Sequence, residues 1–319
     1  MDMQNGFRNR RGVGIVSVAA VVACVALAAP ISILHARPAT GIVFISSSAD
    51  GHGVFSVRPD GSDLRQLTRG GRAFPLDPAG SPDGSRIAFV SERDSDMWTM
   101  DADGGRQQPV LAPPGEGWEP TWSPDSQRLA YVRFAGLFDM RVFTATPDGR
   151  DERDILKWPS RAQSPAWSPD GGAIAYWFSN KIHVVDLESG DTRVVVPVPA
   201  TSPTWSPDSR ELAYHREGLS EDIFVSDVDT RATRRLTNHP ARDANPEWSR
   251  DGTSIAFQSG RDGSAKIYIM DSNGGNVRRL TSDGKAHETH PSWLGGGTLP
   301  VFAAGRMWLQ WGLLKTLAR

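Results

Sequence analysis

The side chains best suited to chemistry lie in the C-terminal third of the chain: His239, His287, Glu288 and His290. Imidazoles and a carboxylate can ligate a metal or move protons near neutral pH. His287-Glu288-Thr289-His290 sets two imidazoles three residues apart. In a loop that spacing fixes little, and it is not the helical metalloprotease pattern. His239 and His290 each precede a proline, which suits solvated loop residues held in place by the chain. The bland reading is adopted, and no metal, cofactor or catalytic residue is expected. Asp60-Gly61 and Asp101-Ala102-Asp103-Gly104 resemble pieces of a calcium loop, but each falls in a strand-linking turn that needs Asp and Gly anyway.

The elements that must position these residues are written in a repeat. Ser164-Pro165-Ala166-Trp167-Ser168-Pro169-Asp170-Gly171, followed by Ala173-Ile174-Ala175-Tyr176, reads as a strand, a tight turn and a second strand. Proline presets the turn, Asp accepts bonds from the backbone ahead of it, and Gly supplies positive φ. The phrase recurs with Trp122 and Asp125, with Trp205 and Asp208, and with Trp248 and Asp251. One worn copy keeps Asp83 but has Gly80 in place of Trp; the last keeps Trp293 but runs into Leu294-Gly295-Gly296-Gly297. The five turn serines, Ser81, Ser123, Ser168, Ser206 and Ser249, recur at intervals of about 38 to 45 residues, the length of a four-stranded propeller blade. No 3.6-residue apolar period competes with the β reading. The repeated tryptophans are expected to pack between blades.

Gly41 to Thr68 is a partial repeat without its opening strand, and Pro291-Ser292-Trp293 is an opening strand without its repeat. Joining them makes a sixth blade from both ends of the chain and removes two open sheet edges. The expected fold is therefore an all-β, six-bladed propeller over residues 40–297, preceded by a segment of residues 1–39 and followed by a tail of residues 298–319. The tail, with Met307-Trp308-Leu309-Gln310-Trp311, is expected to pack on the ring or meet a partner.

Residues 1–39 carry Arg8, Arg10 and Arg11 and then an uncharged run from Gly12 to Leu34, the pattern of an export signal. The run is also long enough to remain as a membrane anchor, and Cys24, the one cysteine, allows lipidation. All three alternatives place the repeats outside the cytoplasm, in the periplasm or an equivalent compartment. With 39% hydrophobic residues the 319-residue chain can build a core, and a net charge of −2 argues against nucleic-acid binding.

Two sets of loops converge on one face of such a ring: those linking second and third strands, and those entering the next inner strand. This face gathers Arg72, Glu116, Arg161, His239, Arg242, Asp243, His287, Glu288 and His290, and loops on a rigid ring are a usual place for binding.

The phrase Pro-x-Trp-Ser-Pro-Asp-Gly-x-x-Ile-Ala-Phe, followed by Arg261-Asp262-Gly263, Ile267-Tyr268 and Arg278-Arg279-Leu280-Thr281, resembles the TolB-type, WD-repeat-like propeller family over about residues 41 to 293. The resemblance implies a non-catalytic binding or scaffold module for a protein or peptide at the cell envelope, expected as a monomer. Similar repeats occur in oligogalacturonate lyases, which implies as the alternative a metal-dependent glycan lyase or hydrolase working through the His239 and His290 region.

Overall fold

The computed structural model describes residues 40–296, apart from residues 49–50, 69–74, 92–94, 111–115, 137–138, 157–160, 217, 219–220 and 282–285. The N-terminal segment, the tail and Arg72 lie outside the described residues.

Among the described residues, twenty-four strands make six four-stranded antiparallel sheets. The first blade holds β1 (Gly41–Ser48), β2 (Gly51–Val57) and β3 (Arg65–Gln66). The second holds β4 (Pro75–Gly80), β5 (Arg86–Ser91), β6 (Asp96–Asp101) and β7 (Gln108–Pro109), and the third β8 (Trp118–Trp122), β9 (Leu129–Gly136), β10 (Asp139–Ala145) and β11 (Arg153–Asp154). The fourth is β12 (Gln163–Trp167), β13 (Ala173–Phe178), β14 (Lys181–Asp186) and β15 (Thr192–Val196); the fifth is β16 (Ala200–Trp205), β17 (Glu211–Arg216), β18 (Asp222–Asp227) and β19 (Thr233–Arg235). The sixth runs β20 (Asp243–Trp248), β21 (Ser254–Ser259), β22 (Lys266–Asp271) and β23 (Arg278–Arg279). The last strand, β24 (His287–Leu294), returns to the first blade and pairs with β1, setting Trp293 against Ile42. The ring is a six-bladed β-propeller closed by the two ends of the described chain.

Each turn of the repeat is built by two side chains. The hydroxyls of Ser81, Ser123, Ser168, Ser206 and Ser249 donate to the carboxylates of Asp83, Asp125, Asp170, Asp208 and Asp251 at 2.5–2.6 Å. The same hydroxyls accept the backbone N–H that opens the second strand, at 2.8–2.9 Å. The Asp oxygen also accepts the N–H two residues ahead. These bonds favour the ionised form, and Asp83 and Asp251 are held below the usual carboxylate range against the opposing effect of burial. Where the turn's last residue is serine, it hooks the preceding blade: Ser126 and Ser209 hydroxyls accept the N–H of Asp83 and Asp170 at 3.1 Å.

The core is divided into six apolar clusters, one between each pair of adjacent blades. The repeated tryptophans stitch these interfaces. Trp122, Trp205 and Trp293 donate their indole N–H to Ala79 O, Ala166 O and Glu247 O of the preceding blade, at 2.9, 3.0 and 3.0 Å. Trp167 instead bonds Gly171 O of its own turn at 3.3 Å, and Trp248 is buried with its N–H unpaired. Gly80 stands where tryptophan would be because the closing strand lies against it: a Cβ there would be 2.5 Å from Trp293 O and 2.7 Å from Leu294 Cα.

Candidate functional site

The inner strands β4, β8, β12, β16, β20 and β24 line a central cavity of about 540 Å³. Each contains an x-Pro step, and at that step its register with the second strand slips in all six blades. Proline brings no N–H to the ladder, so the strand bulges there. The residue before proline takes positive φ every time: Asp77 (48°), Glu119 (53°), Ser164 (49°), Ser202 (52°), Asn245 (49°) and His290 (53°). This conformation is costly for residues with a Cβ and persists where the surroundings enforce it. The bulge turns six side chains that are equivalent in the repeat, yet chemically different, into the cavity.

Three couples form around this ring. Glu119 Oε2 accepts the Ser164 N–H at 2.6 Å, the Ser202 hydroxyl lies 3.0 Å from Asn245 Oδ1, and His290 Nε2 lies 3.6 Å from Asp77 Oδ1. Between the couples, Asp77 faces Glu119 with like charge. Burial first, and Asp77 second, push the Glu119 carboxyl up to about 7 despite the Ser164 bond. Deeper in the cavity, burial also pushes Glu247 up to about 7, against the pull of Arg250 and Thr204. Arg250 occupies the place that proline holds in the other turns. It reaches across the first blade to Gly80 O at 3.4 Å, while its Nε–H is buried without a partner. The two irregular positions of the repeat, Gly80 and Arg250, thus meet at one end of the channel.

At the other end, the entry to five of the six inner strands is hydrogen-bonded to the preceding blade's connection between second and third strands or to the start of its third strand. Gly117 bonds Ser95 O, Ala162 bonds Met140 O, Ala200 bonds Asn180 O, Asp243 bonds Glu221 O and Glu288 bonds Ala265 O, at 2.8–3.3 Å. The expected loop face therefore exists, but its residues divide. Glu116, Arg161, Arg242, His287 and His290 are exposed and His239 is half-buried. Asp243 and Glu288 are not offered to solvent, being 0% and 6% exposed. Arg261 covers Asp243 at 3.0 Å; Lys266 Nζ lies 3.5 Å from Glu288, whose other oxygen accepts from the Thr281 hydroxyl. Both carboxylates are staples of the blade frame. His287, Glu288 and His290 were expected in a loop and instead belong to β24, because the closing strand pairs with β1 as far as His287 opposite Ser47.

His215 adds a group that sequence reasoning passed over. It is buried on β17, its Nδ1 accepts the Asn245 N–H at 3.4 Å, and its Nε2 lies 4.0 Å from Glu221. Burial, then Arg242 and His290, lower its pKa to about 4, so it is neutral at pH 7. Arg242 pairs with Glu221 at the same rim. The other ring residues, Asp77, Glu119, Ser164, Ser202 and Asn245, were also passed over. Their signal was present: each is the residue before the proline of its repeat copy.

Among the described residues no three His, Cys, Asp or Glu side chains gather closely enough to share a metal ion. His239 receives the Ala241 N–H on its own Nδ1 at 3.1 Å, within the link between fifth and sixth blades, whereas His290 lines the cavity. The carboxylates of Asp60 and Asp103 accept the N–H groups of Ser62 and Gly105 at 2.9 Å, in their own turns.

Fold and site together define a closed six-bladed propeller of the Trp-Ser-Pro-Asp type, with a repeated frame and a channel of non-repeating polar side chains. The chain belongs to the TolB β-propeller family. A family model for the TolB beta propeller domain matches residues 138–307, more than half of its length. The Tol-Pal system protein TolB of Bordetella pertussis is 37% identical over 195 residues, 60% of this chain and 36% of that protein. The crystal structure of TolB from Acinetobacter baumannii superposes with a TM-score of 0.70 at 17% identity, over 82% of this chain and 68% of that one. The oligogalacturonate lyase of Vibrio parahaemolyticus superposes at 0.52 with 15% identity, over 72% and 74%. At these identities the solved structures speak for the fold alone. The curated relatives are matched over 10% to 36% of their own lengths.

Proposed function

We propose that this chain is an exported, non-catalytic propeller that binds a protein or peptide partner at the cell envelope, through its loop face and the mouth of its channel. The observation that carries this reading is the contrast within each inner strand. The Ser–Asp turn is repeated from blade to blade, while the six cavity-facing residues before proline are Asp, Glu, Ser, Ser, Asn and His. A frame that repeats beneath a lining that does not is what selective recognition requires. The Bordetella relative, named for the Tol-Pal system, supports a protein partner. The arginines ahead of the uncharged run at residues 12–34 support export. The lyase alternative gains no support from the geometry, since among the described residues no three His, Cys, Asp or Glu side chains gather for a metal ion.

Arg161 and Arg242 are exposed on this face. The full-length chain, immobilised, is expected to retain a discrete envelope protein from extracts of its host. The Arg161→Glu, Arg242→Glu double variant is expected to lose it with an unchanged melting temperature. Retention of nothing above background, or equal retention by the variant, contradicts the proposal.

A further inference from the structure

The rim around the cavity is uneven. In the third blade, the pairing of β9 with β10 continues above Tyr131 and Phe143 as far as Gly136 opposite Asp139. In the fourth, only residues 177–182 rise above the equivalent pair, Tyr176 and His183, closing in a tight Ser179-Asn180 turn with φ of 52° and 61°. The third-blade hairpin therefore stands taller than its fourth-blade neighbour. On the taller hairpin Phe134 is 41% exposed, edge-on to Trp118 with ring centroids 5.3 Å apart. Trp118 opens the inner strand β8, and the next residue, Glu119, lines the cavity. Exposed Glu116 lies on the same rim, where its backbone forms an isolated antiparallel β-bridge with Asp96.

Charge is distributed unevenly as well. On the fifth and sixth blades the carboxylates are matched: Asp222 with Arg235, Glu221 with Arg242, and Asp243 with Arg261. On the third blade Arg141 likewise takes Asp139 and Asp154, but the cavity-lining Asp77 and Glu119 have as their polar partners His290 and a backbone N–H.

We infer that this sector binds an extended partner segment in which a lysine or arginine adjoins an aromatic or aliphatic residue. The segment enters over the lower hairpin of the fourth blade. Its apolar side chain packs on Phe134 and Trp118, and its basic group reaches the Asp77–Glu119 side of the cavity. Aromatic faces attract a cation as well as an apolar side chain, and the Asp77 and Glu119 carboxyl oxygens accept from the basic group, Glu119 giving up its proton to solvent as the cation arrives. The cavity is within the size range of sites that enclose a few side chains. The inference rests on the binding function proposed above and names the chemistry of what is bound.

The test uses the full 319-residue chain panned against phage-displayed random heptapeptides, followed by fluorescence anisotropy of the selected peptides. Enrichment of Lys or Arg beside Phe, Trp or Leu is expected. Phe134→Ser and Glu119→Gln are each expected to weaken binding about tenfold, the loss typical of an interface anchor. The exposed Phe134 makes its variant safe for folding, and a melting curve checks both. Enrichment of acidic peptides, or of none, overturns the inference. So does binding unchanged in both variants. If binding is weakened only by Arg242→Glu, the inference falls and the loop-face function stands; if by none of the three, both fall.

Discussion

At the scale of single residues, the account turns on carboxylates whose surroundings oppose ionisation. The folded pKa of Glu119, about 7, lies above its ordinary value of 4.5. The folded chain therefore holds a proton that the unfolded chain releases, and this stabilisation is full below about pH 4.5 and lost as pH rises through 7. Glu247 acts in the same direction. His215 acts in the opposite one: its folded value of about 4 lies below 6.5, so its contribution is lost as pH falls from 6.5 to 4. Glu119→Gln keeps an acceptor for the Ser164 N–H and removes the titration. Relative to the parent, its melting temperature is expected to be higher at pH 8 than at pH 5. Equal pH slopes for parent and variant would show that Glu119 does not hold its proton in the fold.

At the scale of elements, β24 is the piece on which ring closure depends. It is held to the sixth blade by Trp293 and by Glu288 beside buried Lys266, and to the second by the Ser292 hydroxyl, which accepts the Gly80 N–H at 3.2 Å. Glu288→Leu alone leaves a buried ammonium without its carboxylate and is expected to cost about 3 kcal/mol; Lys266→Met added to it should restore much of that loss. Denaturant titration of the four proteins measures the coupling, and additive losses would contradict the staple. Gly80→Ala should also destabilise, since its Cβ meets backbone that cannot turn aside. The Ser-Pro-Asp turns and the tryptophans are local and recurrent, so blade number, turn structure and the joint blade were legible. The pairings of Glu288 with Lys266 and Asp243 with Arg261 are set by which strands adjoin, and Glu288, Asp243 and Arg261 looked like loop groups. The ring before the prolines was hidden for another reason. Its side chains differ in every copy, and the bulge that turns them inward follows from the missing proline N–H rather than from any apolar pattern.

At the scale of the whole molecule, six similar blades make a closed frame, and most of the charged differences among them lie at the loop-face end. That end has the uneven rim, the matched charges of the fifth and sixth blades and the cavity-lining Asp77 and Glu119 of the second and third. The opposite end is occupied by Ser–Asp turns whose serine and aspartate groups are consumed within the turns and between neighbouring blades. Recognition should therefore be confined to the loop face. The most direct measurement is photo-crosslinking in the host, with a photoreactive residue placed at Phe134 or Arg242 on the loop face, or at Arg150 in the exposed turn between β10 and β11 at the opposite end. The account expects one envelope protein to be captured from Phe134 and Arg242 and not from Arg150. Capture from Arg150 alone, or from all three positions equally, would contradict it.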